Sequence, residues 1–181
     1  MRLYDYITDE NLAGLIKDLM HRPRNFVKGA LAGKAATEDQ DLVTTVALMY
    51  TIEGVLYTLA AQTTIDISTT TAGLAATAAT AGAIQAAATY CAYLMTVDAA
   101  GTVDCLKGTD AATLALALSL LPEPVAATCP FGIWVVANTT NPFIAGTTKD
   151  SAAGVSMTFY DLSDIPPGAG EGAIYLDTYD E

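Results

Sequence analysis

Few residues in this chain of 181 have side chains suited to catalysis. The only histidine, His21, lies at the basic end of a predicted helix, where a cation complements the helix C-terminus, so we interpret it as structural. No second histidine and no Cys-x-x-Cys pair accompanies it, which argues against a transition-metal site. The sequence also lacks a Gly-x-Ser-x-Gly motif, a phosphate-binding glycine loop and a dinucleotide fingerprint. We therefore predict a protein that is not an enzyme and uses no cofactor.

The three cysteines, Cys91, Cys105 and Cys129, are an odd number without close spacing. This pattern argues against a disulfide framework and predicts reduced thiols that pack as small apolar side chains. Two acidic residues, Asp98 and Asp104, flank a predicted turn and could hold a calcium ion weakly. Acidic side chains at turns are more often simply solvated, and we favour that interpretation.

Charge is distributed very unevenly along the chain. The net charge is −12, yet six of the eight lysines and arginines fall within the first 34 residues, against four acidic residues. The rest of the chain contains two cations and sixteen acidic residues. This asymmetry predicts a basic partner-binding arm on an acidic body that repels nucleic acid and anionic membranes. The alternative is that the acidity only keeps the protein in solution.

Residues 1–37 are predicted to form this basic arm, with a helix near its start. Thr8 and Asp9 supply an N-cap, leucines and an isoleucine recur at helical spacing, and Pro23 ends the helix. Tyrosine and arginine are common at interfaces because each provides a large contact. The residues predicted to bind a partner are Tyr4, Tyr6, Leu12, Leu15, Ile16, Leu19, Arg22, Arg24 and Lys28. The alternative is that the helix covers the chain's own sheet.

Residues 38–165 are predicted to form a β-rich body, and residues 166–181 a Pro/Gly linker with an acidic tail. The fold class we predict is mainly β, a small antiparallel β-sandwich or barrel-like body with an N-terminal helical arm and one short helix. Asp110 is predicted to cap that short helix, which runs to Leu121. The tail from Ile174 alternates apolar and polar residues and could extend a neighbour's sheet. The predicted strands are 43–52, 55–67, 90–97, 102–106, 131–137 and 155–162, with 69–89 ambiguous.

Six segments of the body form a recognisable series. They are 53–54 (EG), 93–101 (YLMTVDAAG), 121–124 (LPEP), 132–138 (GIWVVAN), 143–148 (FIAGTT) and 158–161 (TFYD). Together they resemble tailed-bacteriophage virion proteins, in particular head-decoration, cement and head-fibre proteins, over residues 43–165. The resemblance implies a β-rich homotrimer that is made in the host cytoplasm. It also implies that this trimer binds the major capsid protein on the outside of an icosahedral shell.

Two other functions remain open at this point. A neck, tail or fibre-anchoring subunit of the same kind of particle would share the β-rich body. A carbohydrate- or host-binding module would use Trp134, the only tryptophan, together with nearby tyrosines.

Overall fold

The computed structural model describes residues 23–27, 31–33, 41–67, 74–75, 84–149 and 151–162. About half of these residues lie in strands, most of them antiparallel, and one short helix accompanies them. The predicted mainly-β class is therefore confirmed. The predicted N-terminal helix, the linker and the acidic tail lie outside the described residues.

The described elements comprise thirteen strands and one helix. In chain order the strands are β1 Arg24–Asn25, β2 Leu31–Gly33, β3 Leu42–Thr44, β4 Leu48–Ile52, β5 Val55–Leu59, β6 Ile65–Asp66, β7 Leu74–Ala75, β8 Ile84–Gln85, β9 Tyr90–Asp98, β10 Val103–Lys107, β11 Thr128–Asn138, β12 Phe143–Ile144 and β13 Val155–Asp161, and the helix is α1 Leu114–Ser119.

The largest sheet is antiparallel, with the strand order β10-β9-β11-β13. The hairpin predicted between residues 90 and 106 forms its β9–β10 half. Its turn is stabilised by Asp98, whose carboxylate accepts hydrogen bonds from the N–H groups of Ala100 and Thr102 at 2.8 and 2.7 Å. Asp98 is therefore part of the turn, while Asp104 pairs with Thr96 further along the ladder. The register does not place the two carboxylates opposite each other.

Strand β9 lies at the centre of the core. Seven successive residues of this strand, 91–97, are buried, because both faces of the large sheet are covered. One face carries Tyr93, Trp134 and the three cysteines, which are all free thiols as predicted. The other face carries Leu94 and Ile133 beneath α1.

Two smaller sheets cover the first face of the large sheet. Strands β1-β4-β5 form one of them, and strands β2-β3-β6-β7 form the other, in which β6 and β7 run parallel. Their inward side chains, among them Leu31, Leu48 and Tyr50, join the same core cluster as Trp134. Strands β8 and β12 form a further two-stranded pair. The result is a sandwich-like arrangement, as the sequence predicted.

Strands β1 and β2 lie within the stretch that the sequence places in the basic arm. Strand β1 pairs with β4, and β2 pairs with β3, so each belongs to a sheet of the body. Leu31 and Asn25 are buried there. Strands of two or three residues are too short to show an alternating pattern, which is why sequence inspection does not separate them from a connector.

The short helix is present, but its predicted cap is wrong. Thr113 is the N-cap, and its hydroxyl accepts from the N–H of Leu116 at 3.2 Å. Asp110 instead accepts a 2.7 Å hydrogen bond from the N–H of Ala86 and forms an ion pair with Lys107. Both residue types are good N-caps, so local preference alone does not distinguish them.

A close approach between β11 and β2 makes Gly132 sensitive to substitution. A Cβ at this position would lie 2.9 Å from Leu31 Cδ2 and 3.3 Å from Leu31 Cβ. We expect Gly132→Ala to lower the free energy of unfolding by about 1–3 kcal/mol, as overpacking usually does. Urea denaturation followed by Trp134 fluorescence measures this loss.

The matched control for this substitution is Leu31→Ala, alone and combined with Gly132→Ala. Because the truncated side chain leaves room for the new methyl group, the double variant should lose less stability than the sum of the single variants. Strictly additive losses would contradict the proposed contact.

Candidate interaction surface

Most of the residues predicted to bind a partner cannot be placed. Arg24 is the only one of the nine that the structure describes. The other eight, Tyr4, Tyr6, Leu12, Leu15, Ile16, Leu19, Arg22 and Lys28, lie outside the described residues, as does His21. Arg24 is half-buried in β1 and pairs with Thr51 of β4. Arg24 is therefore the one predicted contact residue whose surroundings are described.

The strands predicted at 43–52 and 55–67 do form a hairpin around residues 53–54, as β4 and β5. Both are shorter than predicted, because the first range also includes most of β3 and the second also contains β6. Glu53 and Gly54 have φ values of 50° and 79°, so both turn residues adopt the left-handed conformation of a two-residue type I′ hairpin turn. This turn makes Ile52 and Val55 the first pair of the ladder. The same turn fixes which side chains face the core and which face away.

The inner side of this hairpin is anchored in the core. Tyr50 stacks on Tyr57 with 5.7 Å between ring centroids, and its hydroxyl donates a 2.8 Å hydrogen bond to the carbonyl oxygen of Asp98. Burial, and secondarily the negative charge of Asp98, raises the pKa of Tyr50, which keeps the phenol protonated as a donor. The hairpin is thereby attached to the turn that ends β9.

The outer side of the same three-stranded sheet is apolar and exposed. Residues that are directly opposite each other in a ladder share a face, so Arg24, Thr51 and Leu56 form one outward row. Met49 and Thr58 form the next row, beside Phe26, whose N–H donates to the Met49 carbonyl oxygen. We call these six residues the hairpin face. Its three large apolar members, Phe26, Met49 and Leu56, are all exposed to solvent.

A second exposed apolar surface lies on the opposite side of the large sheet. Helix α1 buries Ala117 but exposes leucines on its other sides. We call this group, made of Leu114, Leu116, Leu120 and Val125, the α1 surface. Unlike the hairpin face, this surface has no described cation among its members. These four residues are individually exposed and point to different sides of α1 and the segment after it.

The reactive groups of the described core are enclosed rather than presented to a ligand. Burial raises the pKa of the Cys91 thiol to about 11 and that of Cys105 to about 12, so neither is a ready nucleophile. Trp134 has 0% exposure and stacks on Tyr93 at 4.3 Å between centroids. It offers no face to a sugar, so the carbohydrate-binding alternative loses the residue on which it depended.

Two further features are absent from the part of the chain that the structure describes. Its histidine, cysteine and acidic side chains form no group of three or more that could hold a metal ion. Over the same residues, no helix is long and apolar enough to cross a membrane.

The hairpin face was not foreseen from the sequence. The alternation of Met49 and Leu56 with core residues was visible, but it does not say which of the two faces remains uncovered. Phe26 belongs to the stretch 1–37 that was predicted to form the basic arm. The sequence does contain one indication of such a face. Residues 44–62 form a run of 19 residues in which Glu53 is the only charged residue.

The ion pair near α1 predicts a pH dependence of stability. Burial alone would raise the pKa of Asp110, but the Ala86 N–H and Lys107 outweigh it, so the pKa lies below its ordinary value. The stabilisation is therefore complete above the unfolded-state pKa, 3.8, and is lost as the pH falls through the lower folded-state pKa. Asp110→Asn should be less stable than the unmodified chain at pH 7, with the difference shrinking in acid.

Thermal denaturation across a pH series measures this difference. Glu123→Gln is the control, because it removes one exposed carboxylate that has no such pair among the described contacts. A stability difference for Asp110→Asn that is the same at pH 7 and in strong acid would contradict the assignment.

The chain was also compared with known proteins. No family model, no curated protein and no solved structure matches it.

Proposed function

We propose that this chain is a structural protein of a bacteriophage virion, a decoration or cement subunit that binds the outside of the capsid and stabilises the shell. The observation that supports it best is the hairpin face, an exposed apolar surface carrying Arg24 on an otherwise acidic body. A protein that works by adhesion needs such a surface and needs no catalytic group. The partner is the major capsid protein, which would offer apolar contacts and negative charge.

The geometry of the hairpin face suits attachment to a rigid surface. Its apolar side chains come from three strands of one sheet, and the Tyr50–Tyr57 stack holds two of these strands against the core. Preorganised side chains lose little conformational entropy on binding, so more of the contact energy appears as affinity. Arg24 lies at the border of this face and adds positive charge to it.

The charge distribution supports the same orientation on a shell. The basic first 34 residues, which include Arg24, would face an acidic capsid surface, while the acidic remainder would face solvent. Because the apolar contacts of the hairpin face are insensitive to screening, salt should weaken attachment only in part.

The hairpin face predicts a specific loss of binding on mutation. Leu56→Glu places a charge on this face at its most exposed large apolar residue. Since burying a leucine is worth about 1.5–3 kcal/mol, affinity for the shell should fall by about tenfold or more. Co-sedimentation with shells that lack this protein measures the affinity. Both leucines used here are exposed, 58% for Leu56 and 48% for the control Leu116, so both variants should fold.

Leu116→Glu makes the same change on the α1 surface and should leave attachment unaltered. Equal losses for the two variants would contradict a site on the hairpin face, and no binding by the unmodified chain would overturn the proposed function. Copy number per particle, measured by quantitative mass spectrometry, separates a decoration subunit spread over the shell from a subunit confined to one neck or tail ring.

Two truncations test the basic arm. Removal of residues 1–22 takes away most of the predicted contact residues but no described strand, so the body should remain folded while attachment weakens. Removal of residues 1–34 also deletes β1 and β2 with the buried Leu31 and Asn25, and should lower Tm clearly. Loss of one buried leucine alone costs about 2–5 kcal/mol.

Thermal denaturation and co-sedimentation report these two effects separately. Full shell occupancy by the shorter truncation would rule out a docking role for residues 1–22. An unchanged Tm for the longer truncation would contradict the placement of β1 and β2 in the body.

A further inference from the structure

The outer edge of β5 has no partner strand among the described residues. In an antiparallel ladder, successive residues direct their N–H and C=O groups alternately toward one neighbour and the other. The N–H of Phe26 donates to the carbonyl oxygen of Met49 at 2.8 Å, so Met49 is directed toward β1. Thr58, which is opposite Met49, must therefore direct its backbone groups away from the sheet.

The same reasoning applies to Leu56. The two-residue turn makes Ile52 and Val55 a hydrogen-bonded pair, so the next pair, Thr51 and Leu56, directs its backbone groups outward on both sides. The edge of β5 thus presents two sets of N–H and C=O groups, from Leu56 and Thr58. These groups are ready to pair with an added strand.

Strand β5 lacks the features that normally protect an exposed edge. Its five residues, Val-Leu-Tyr-Thr-Leu, include no charge and no proline, and its pairing with β4 shows no bulge. Val55 and Leu56 are both more than half exposed. On the inner side, the stack of Tyr57 on Tyr50 holds the strand extended. The edge is therefore a rigid and apolar template for strand addition.

The charge of the chain allows a second copy as the added strand, and the near-symmetry of β5 favours it. Two chains of net charge −12 repel each other unless they meet along a neutral surface. Residues 44–62 provide one, since Glu53 is their only charged residue. The strand is also close to symmetric about Tyr57, with aliphatic residues at both ends.

We propose that two copies of this chain pair antiparallel through β5, with the two-fold axis at Tyr57. Leu56 of each copy is then opposite Thr58 of the other, and these two pairs exchange four backbone hydrogen bonds. The two Glu53 side chains lie eight strand residues apart, roughly 27 Å at 3.4 Å per residue. This distance exceeds the Debye length of about 8 Å at physiological ionic strength, so their repulsion is screened.

The pairing joins two three-stranded sheets into one sheet of six strands. It also places the two hairpin faces side by side on one surface, which would give a bivalent attachment to any repetitive partner. The proposal concerns the isolated chain and does not depend on the proposed function. It differs from the homotrimer that the sequence resemblance implies, because a two-fold contact closes after two copies.

The mass of the protein in solution tests the proposal. Sedimentation equilibrium of the unmodified chain should give twice the chain mass of 18.8 kDa. Thr58→Pro removes an N–H that faces outward, so it should leave the β4–β5 ladder intact and weaken self-association at least tenfold. Thr58→Val keeps the N–H and is the control, which should remain a dimer.

Trp134 fluorescence verifies that both variants are folded, because the indole is buried in the core. A single-copy or three-copy mass for the unmodified chain would overturn the proposal. So would a Thr58→Pro variant that is folded and still fully dimeric.

A cross-linking variant covers the case in which Thr58→Pro does not fold. The double variant Leu56→Cys, Thr58→Cys places cysteines opposite each other across the two-fold axis, with Cα atoms about 5.5 Å apart and within disulfide range. Mild oxidation should give a covalent dimer, while Leu116→Cys, a single exposed cysteine on the α1 surface, should not. The three native thiols, Cys91, Cys105 and Cys129, are buried and should not compete. Absence of the cross-link at concentrations where the chain is dimeric would overturn the proposed register.

Discussion

Strand β9 has seven successive buried residues. Elements that pack above and below the large sheet must therefore cover both of its faces. On one face the two smaller sheets cover the stacked rings of Tyr93 and Trp134. On the other face α1 provides the cover. Gly132 belongs to the same requirement, because only a missing side chain lets Leu31 of β2 approach β11. Removing any of these covers would expose a strand that has no polar side to turn toward solvent.

The core against the large sheet contains the five largest fully buried side chains of the described residues, which are Trp134, Tyr50, Tyr93, Phe131 and Phe143. A chain rich in alanine and threonine has few others, and the outer layers are thin as a result. Phe26, Met49 and Leu56 lie on the outside of a three-stranded layer with nothing described above them. The exposed apolar surfaces are thus a product of the same composition that limits the size of the core. If the chain assembles as proposed, folding and assembly draw on the same limited apolar area.

The parts of this fold that the sequence predicts are those with local causes. Both hairpins were found because Glu53-Gly54 and Asp98–Gly101 are short turns between alternating runs. The cap of α1 was misassigned, because the position of Asp110 depends on Ala86 and Lys107 rather than on its neighbours. Trp134 was considered for ligand contact because strand pattern does not reveal what packs on top of a strand. The outward direction of the hairpin face depends on strands from distant parts of the chain.

The hydrogen bond from Tyr50 to the carbonyl of Asp98 has a mechanical consequence. Asp98 ends β9, whose ladder with β11 is the longest in the described protein, so a force on the hairpin is passed to the part that is hardest to separate. Exposed loops are bypassed on this path. Part of any force applied at the hairpin would therefore reach β9 through this one hydrogen bond.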